Sequence, residues 1–168
     1  MPGGRREPEF GLGERDMLLG WLNFHRETAI WKLEGLSDED ARRRPVGTSL
    51  LTPVGIVLHL AHVEWGWFRT MFANTPPDTI WEESGDDDIE FKTQQPVAEV
   101  VAFYREQIAI ADEIIAEHSL DDVATYKREN WAEPPTLRWC VTHMIEETAR
   151  HNGHLDLLRE MIDGATGL

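Results

Sequence analysis

Cysteine is nearly absent from this chain of 168 residues. The single residue, Cys140, can form no internal disulfide and falls on an apolar helical stripe, so a reduced, cytoplasmic setting is expected. Basic residues are scarce too: 16 Lys and Arg face 31 Asp and Glu, for a formal charge of −15. That balance argues against nucleic acid, whose phosphates need clustered cations, and against an anionic membrane surface. No apolar run approaches the ~18–20 residues of a membrane span. The opening MPGGRREPEF has no apolar segment behind it, so no signal peptide is expected. Residues 1–13 are expected as a flexible tail and 14–168 as one domain, long enough to bury a sizeable core. Strand alternation, a repeat of fixed period and the HExxH of metalloproteases are all missing.

What is present is helical periodicity. Over residues 14–36, Leu18, Leu22, Ala29, Leu33 and Leu36 form a stripe that also carries His25. Ser37 followed by Asp-Glu-Asp is an N-cap with an acidic first turn, so a short helix should follow before Pro45. Thr52-Pro53 starts a second long helix, expected to reach Phe72 or Ala73. It is apolar over most of its circumference, hence central, and its remaining narrow face carries Gly55, His59, His62, Gly66, Arg69 and Thr70. Small residues beside histidines suit a wall where a ligand or another backbone comes close. Pro96 opens a third helix to about His118, with no chemistry on it. Thr136 caps a fourth, which Gly164 closes. The expectation is an all-α four-helix bundle with long connecting loops. The acidic run WEESGDDDIE (81–90), with six carboxylates, reads as a solvated connection because it lacks the ligand alternation and glycine of an EF-hand.

The fourth helix departs from its own pattern. Leu137, Cys140, Met144, Leu155, Leu158 and Ile162 make its apolar stripe, yet Glu147 and His151 fill the two positions between Met144 and Leu155. Four apart, they stand one turn above the other on one face. A carboxylate and an imidazole there would cost several kcal/mol unless something answers them. A metal ion would do so, and a buried Glu147–His151 ion pair without metal is the alternative. With a histidine from the second helix, which offers His59 and, one turn on, His62, the pair makes three ligands of N, N, O type, a count that suits catalytic zinc and leaves a position open. Nickel, iron(II) or manganese could use the same ligands. A di-iron carboxylate site is disfavoured, since the fourth helix lacks Glu-x-x-His.

The segments TPVGIVLHLAHVEWGWF (52–68) and RWCVTHMIEETARHNGHLDLLREMIDG (138–164) resemble the two motif helices of the DinB-like superfamily, four-helix bundles that carry a divalent metal on three side chains. The resemblance extends over roughly residues 14–164 and is specific at these two motifs. His59, in its His-Leu-Ala context, matches the ligand of the second helix; Glu147 and His151, just before Gly153, match those of the fourth. Many members carry His at the first of these two positions. Glu there is similar to the branch of mycothiol-dependent maleylpyruvate isomerase. His154 stands where many relatives have Gln, which makes it a pocket wall rather than a ligand.

That resemblance implies S-transfer or isomerisation with a low-molecular-weight thiol, mycothiol or bacillithiol, on a small electrophile, with zinc the expected metal. The metal would hold the thiol as thiolate, and His62 or His154 would shuttle its proton. Arg69, Trp65 and His25 are the expected substrate-binding residues. Two further readings stay open: a metal-dependent hydrolase with activated water, and a metal-binding stress or interaction module without catalysis. A bundle face can also dimerise, so a homodimer is open to this chain.

Overall fold

The computed structural model describes residues 5–76, 86, 88–126 and 131–166. Its elements, in chain order, are α1 (Glu14–Trp31), the short α2 (Asp38–Ala41), α3 (Pro53–Glu64) running into a π-helical turn (Trp65–Thr70), a 3-10 turn (Ile89–Lys92), α4 (Val97–Glu117) and α5 (Leu137–Asp163). The described residues hold no strand, only an isolated antiparallel bridge between Val123 and Thr136. The fold is all-α, as its periodicity predicts.

Capping chemistry sets the helix ends. Ser37, Thr52 and Thr136 each accept a backbone N–H three residues on, from Asp40, Gly55 and Trp139. Gly164 ends α5 in the left-handed region at φ 74°, where a Cβ would be strained. Helix α1 stops at Trp31, five residues short of the end expected from its stripe. Beyond it, Arg159 of α5 donates to the carbonyls of Lys32 (2.6 Å) and Glu34 (3.2 Å), answering groups that a longer helix would have paired internally. Ahead of α1, Arg5 is 1% exposed, donates to Thr28 Oγ1 and lies 3.9 Å from the centre of the Trp31 ring, while most of residues 6–13 are exposed.

Helix α1 packs on α5, and α3 on α4, while α3 also meets α5. Two apolar cores result. One gathers Ala29, Leu33, Val57, Leu60, Tyr104 and Leu155; the other gathers Leu22, Phe68, Ala111, Leu137 and Met144. Between them every long helix contributes a buried polar residue: Arg26, Glu64, Gln107 and Thr148. Arg26 makes a two-point pair with Glu64 (2.6 and 2.7 Å), and its remaining nitrogen reaches Asn23 and Asp112. Burial opposes the charge on Arg26, but Glu64 outweighs it and keeps the guanidinium protonated. The irregular stretch before α5 satisfies that helix's first N–H groups, with Leu137 and Arg138 donating to the carbonyls of Asp122 and Leu120.

Candidate metal centre

Helix α3 runs beside α5 so that His59 faces the Glu147–His151 pair. Glu147 Oε1 lies 3.4 Å from His59 Nε2 and 3.2 Å from His151 Nε2. One ligand atom from each of the three side chains lies within 4.8 Å of the other two. His151 is buried, while His59 and Glu147 are partly open. This set of two imidazoles and one carboxylate suits zinc and its neighbours in the first transition row. Without metal, the hydrogen bonds from His151 and then His59 hold the Glu147 carboxyl well below the usual carboxylate range. Burial opposes charge on His59, but Glu147 and Glu90 outweigh it and raise its pKa to about 9.

Both histidines are also held from behind. Glu90 Oε1 is 3.4 Å from His59 Nδ1, and His154 Nδ1 is 3.4 Å from His151 Nδ1. Outer partners of this kind orient ligating imidazoles in metal sites. His154 is partly buried, and burial followed by the neighbouring His151 and Arg150 lowers its pKa. His62 is 5% exposed, packed edge-on against Phe103 with Nδ1 also 3.4 Å from Glu90 Oε1.

Sequence reasoning placed Glu90 in a solvated acidic loop, and the structure corrects this. Residues 81–85 and 87 of that run lie outside the described residues; Asp86 pairs with Lys92 and Asp88 is exposed, but Glu90 is 0% exposed. A signal was present in the change from Asp-Asp-Asp to Ile-Glu-Phe, where apolar neighbours begin to pull the backbone onto the core. Gly55 permits the approach. A Cβ at Gly55 would stand 2.7 Å from Phe91 Cα and 2.9 Å from the Glu90 carbonyl.

The remaining expected residues are dispersed. Arg69 lies 3.8 Å over Trp65 and donates to Gln107 on α4, so both residues lean toward α4 rather than α5. Trp65 donates its indole N–H to the Pro76 carbonyl. His25 stacks on Trp21, and Asn152 donates to its carbonyl; among the described residues nothing links it to the three converging side chains.

A ridge at four-residue spacing on α5 runs Trp139, His143, Glu147, His151. Beside its first half, Trp67 of the π-helical turn sits 4.8 Å from His143, 5.0 Å from Trp139 and, nearly parallel, 5.8 Å from Trp131. Trp131, Pro134, Pro135 and Trp139 line a cleft of about 620 Å³ there. The ridge on α5 therefore carries metal-type ligands toward one end and aromatic faces toward the other.

The family model described as mycothiol S-transferase matches residues 17–164, most of the chain and both motif helices. No curated protein matches. Among solved structures, a conserved protein from Enterococcus faecalis superposes with a TM-score of 0.70 over 92% of this chain and 100% of that one, at 14% identity, a likeness of fold alone.

Proposed function

Because this chain belongs to the mycothiol S-transferase family, we propose that it transfers a low-molecular-weight thiol, mycothiol or a relative, to a small electrophile at a divalent-metal site formed by His59, Glu147 and His151. The observation that carries this reading is the convergence of those three side chains from two helices within 4.8 Å, with Glu90 and His154 behind the two imidazoles. Zinc suits two nitrogens and one oxygen with a position left open, and is the metal of this reading. Bound there, it would supply a Lewis acid that keeps the thiol sulfur as thiolate near neutral pH.

The chain's own residues account for the rest. In this reading His154, behind His151 and partly open to solvent, relays outward the proton that the thiol gives up. His62 is enclosed by Glu90 and Phe103, so its part is to brace Glu90. The aromatic cluster two turns along α5, Trp67, Trp131 and Trp139, offers flat apolar faces to the remote part of an electrophile. The sulfur lone pair forms the new C–S bond where the thiol is held, beside His59, Glu147 and His151, and the leaving group departs with its electrons or an unsaturated carbon accepts them.

Elemental analysis of the purified, untagged protein, paired with a thiol-consumption assay, tests this reading. About one metal per chain is expected, with metal lost in His59→Ala, Glu147→Ala and His151→Ala and retained in His118→Ala. Electrophile turnover should need both the thiol and the metal. Stoichiometric metal in all three ligand variants would overturn the assignment, and turnover without thiol would favour the hydrolase reading.

A further inference from the structure

Glu90 is the last carboxylate of the acidic run and is fully withdrawn from water. Desolvating a carboxylate costs several kcal/mol unless donors answer it. Here one oxygen, Oε1, lies 3.4 Å from Nδ1 of both His59 and His62, which are separated by one turn on α3. The 3-10 turn that carries Glu90 is seated on α3 at Gly55, where any Cβ would overlap Phe91 Cα and the Glu90 carbonyl. Arg44 donates to the Phe91 carbonyl (3.2 Å), Thr93 N–H donates to the Glu90 carbonyl (3.2 Å), and the Phe91 ring lies 5.8 Å from that of His59. A residue from the loop side of the bundle is thus driven through close packing to the far edge of the His59 ring.

We propose that Glu90 is the positioning residue of the metal site, accepting from His59 Nδ1 so that Nε2 turns toward Glu147 and His151, with Gly55 as the seat that lets it do so. This rests on the metal reading above. An imidazole ligates a metal through one ring nitrogen, in the plane of the ring, and a carboxylate on its other nitrogen fixes both the tautomer and the ring's rotation. With His59 free to rotate, the site would retain two ligands from α5 and a third in many orientations, so the ordering cost would fall on metal binding. His62 contributes from the other side by keeping Glu90 Oε1 in place, and Phe103 in turn holds the His62 ring. Glu90 touches neither thiol nor electrophile in this arrangement.

Zinc affinity by competition with a chromophoric chelator, measured beside the thermal midpoint of the metal-free protein, tests the proposal. Glu90→Ala should weaken zinc binding by roughly 10–100-fold, the usual loss when an outer partner of a ligating histidine is removed. Glu90→Gln keeps an oxygen that can accept from Nδ1 and should recover most of that loss. Gly55→Ala should reproduce the zinc defect by lifting the turn, and adding it to Glu90→Ala should weaken zinc no further, although its Cβ, 2.6 Å from Thr52 Oγ1, also disturbs the α3 cap and lowers the metal-free midpoint. A Glu90→Ala protein that binds zinc as tightly as wild type, with only its metal-free midpoint lowered, would reduce Glu90 to packing and overturn the inference alone. A wild type that takes up no zinc would overturn the metal reading and this inference together.

Discussion

Cys140 shows what burial does to a single side chain. It is fully enclosed beside Leu137, Val141 and Met144, and burial pushes its thiol up to about 12. The thiol therefore stays protonated and unexposed at pH 8, and a chromogenic disulfide reagent should label it only after denaturation. The same shift has a sign in stability. Between about pH 9 and 12 the unfolded thiol has lost a proton that the native thiol keeps, so the unfolded state binds fewer protons and stability falls as pH rises. Denaturant titrations at pH 8 and 10 should show a larger loss in wild type than in Cys140→Ser, and Cys140→Ser should keep its metal. Equal losses would mean that the native thiol is not shielded.

At the scale of the element, α3 and α5 differ in how they meet their neighbours. Helix α5 begins at Thr136 and ends at Gly164 as its capping residues predict, and each end can be weakened separately. Thr136→Ala should cost about 1 kcal/mol through the lost N-cap, and Gly164→Ala about 1–2 kcal/mol because its φ of 74° strains a Cβ. Chemical denaturation checks both, and metal content should follow neither. Helix α3 does not end as a regular helix. Its last turn widens, with Met71 N–H donating to the Gly66 carbonyl five residues back. That widening aims Trp67 at α5 and Arg69 at α4. Periodicity at 3.6 residues per turn detects the helix but not the extra residue, because aromatic side chains fit either spacing.

For the whole molecule, the polar layer between the two cores decides how the helices pair. Arg26 on α1 and Glu64 on α3 are 1% and 0% exposed, and neither would be tolerated alone. Breaking the pair by Glu64→Ala should destabilise the fold by about 3 kcal/mol, the lower end of the range for breaking a buried pair, because Asp112 still faces one nitrogen of Arg26. Replacing both, Arg26→Met with Glu64→Met, should recover much of that loss, since a packed apolar pair carries no desolvation penalty. A double-mutant cycle with thermal and denaturant unfolding checks it; additive losses would show that the two residues act independently. No helix among the described residues is long and apolar enough to cross a membrane.

Sequence alone determined what is local. Helix periods, the caps at Ser37, Thr52 and Thr136, the stop at Gly164 and the interruption of an apolar stripe by Glu147 and His151 all depend on neighbours within about a turn, so they could be read in order along the chain. His59 could be brought to that pair only by resemblance to a known family, because facing helices leave no spacing rule in the chain. Tertiary structure decided the rest. Arg26 meets Glu64 across 38 positions and Glu90 meets His59 across 31, and both look like ordinary surface charges until another helix buries them. Glu90 reads as one more acid in a solvated run because its burial is caused by Gly55, 35 residues earlier, whose missing Cβ is the space that the turn occupies. Burial of a charge depends on what packs over it, and that partner is chosen by the closing of the bundle.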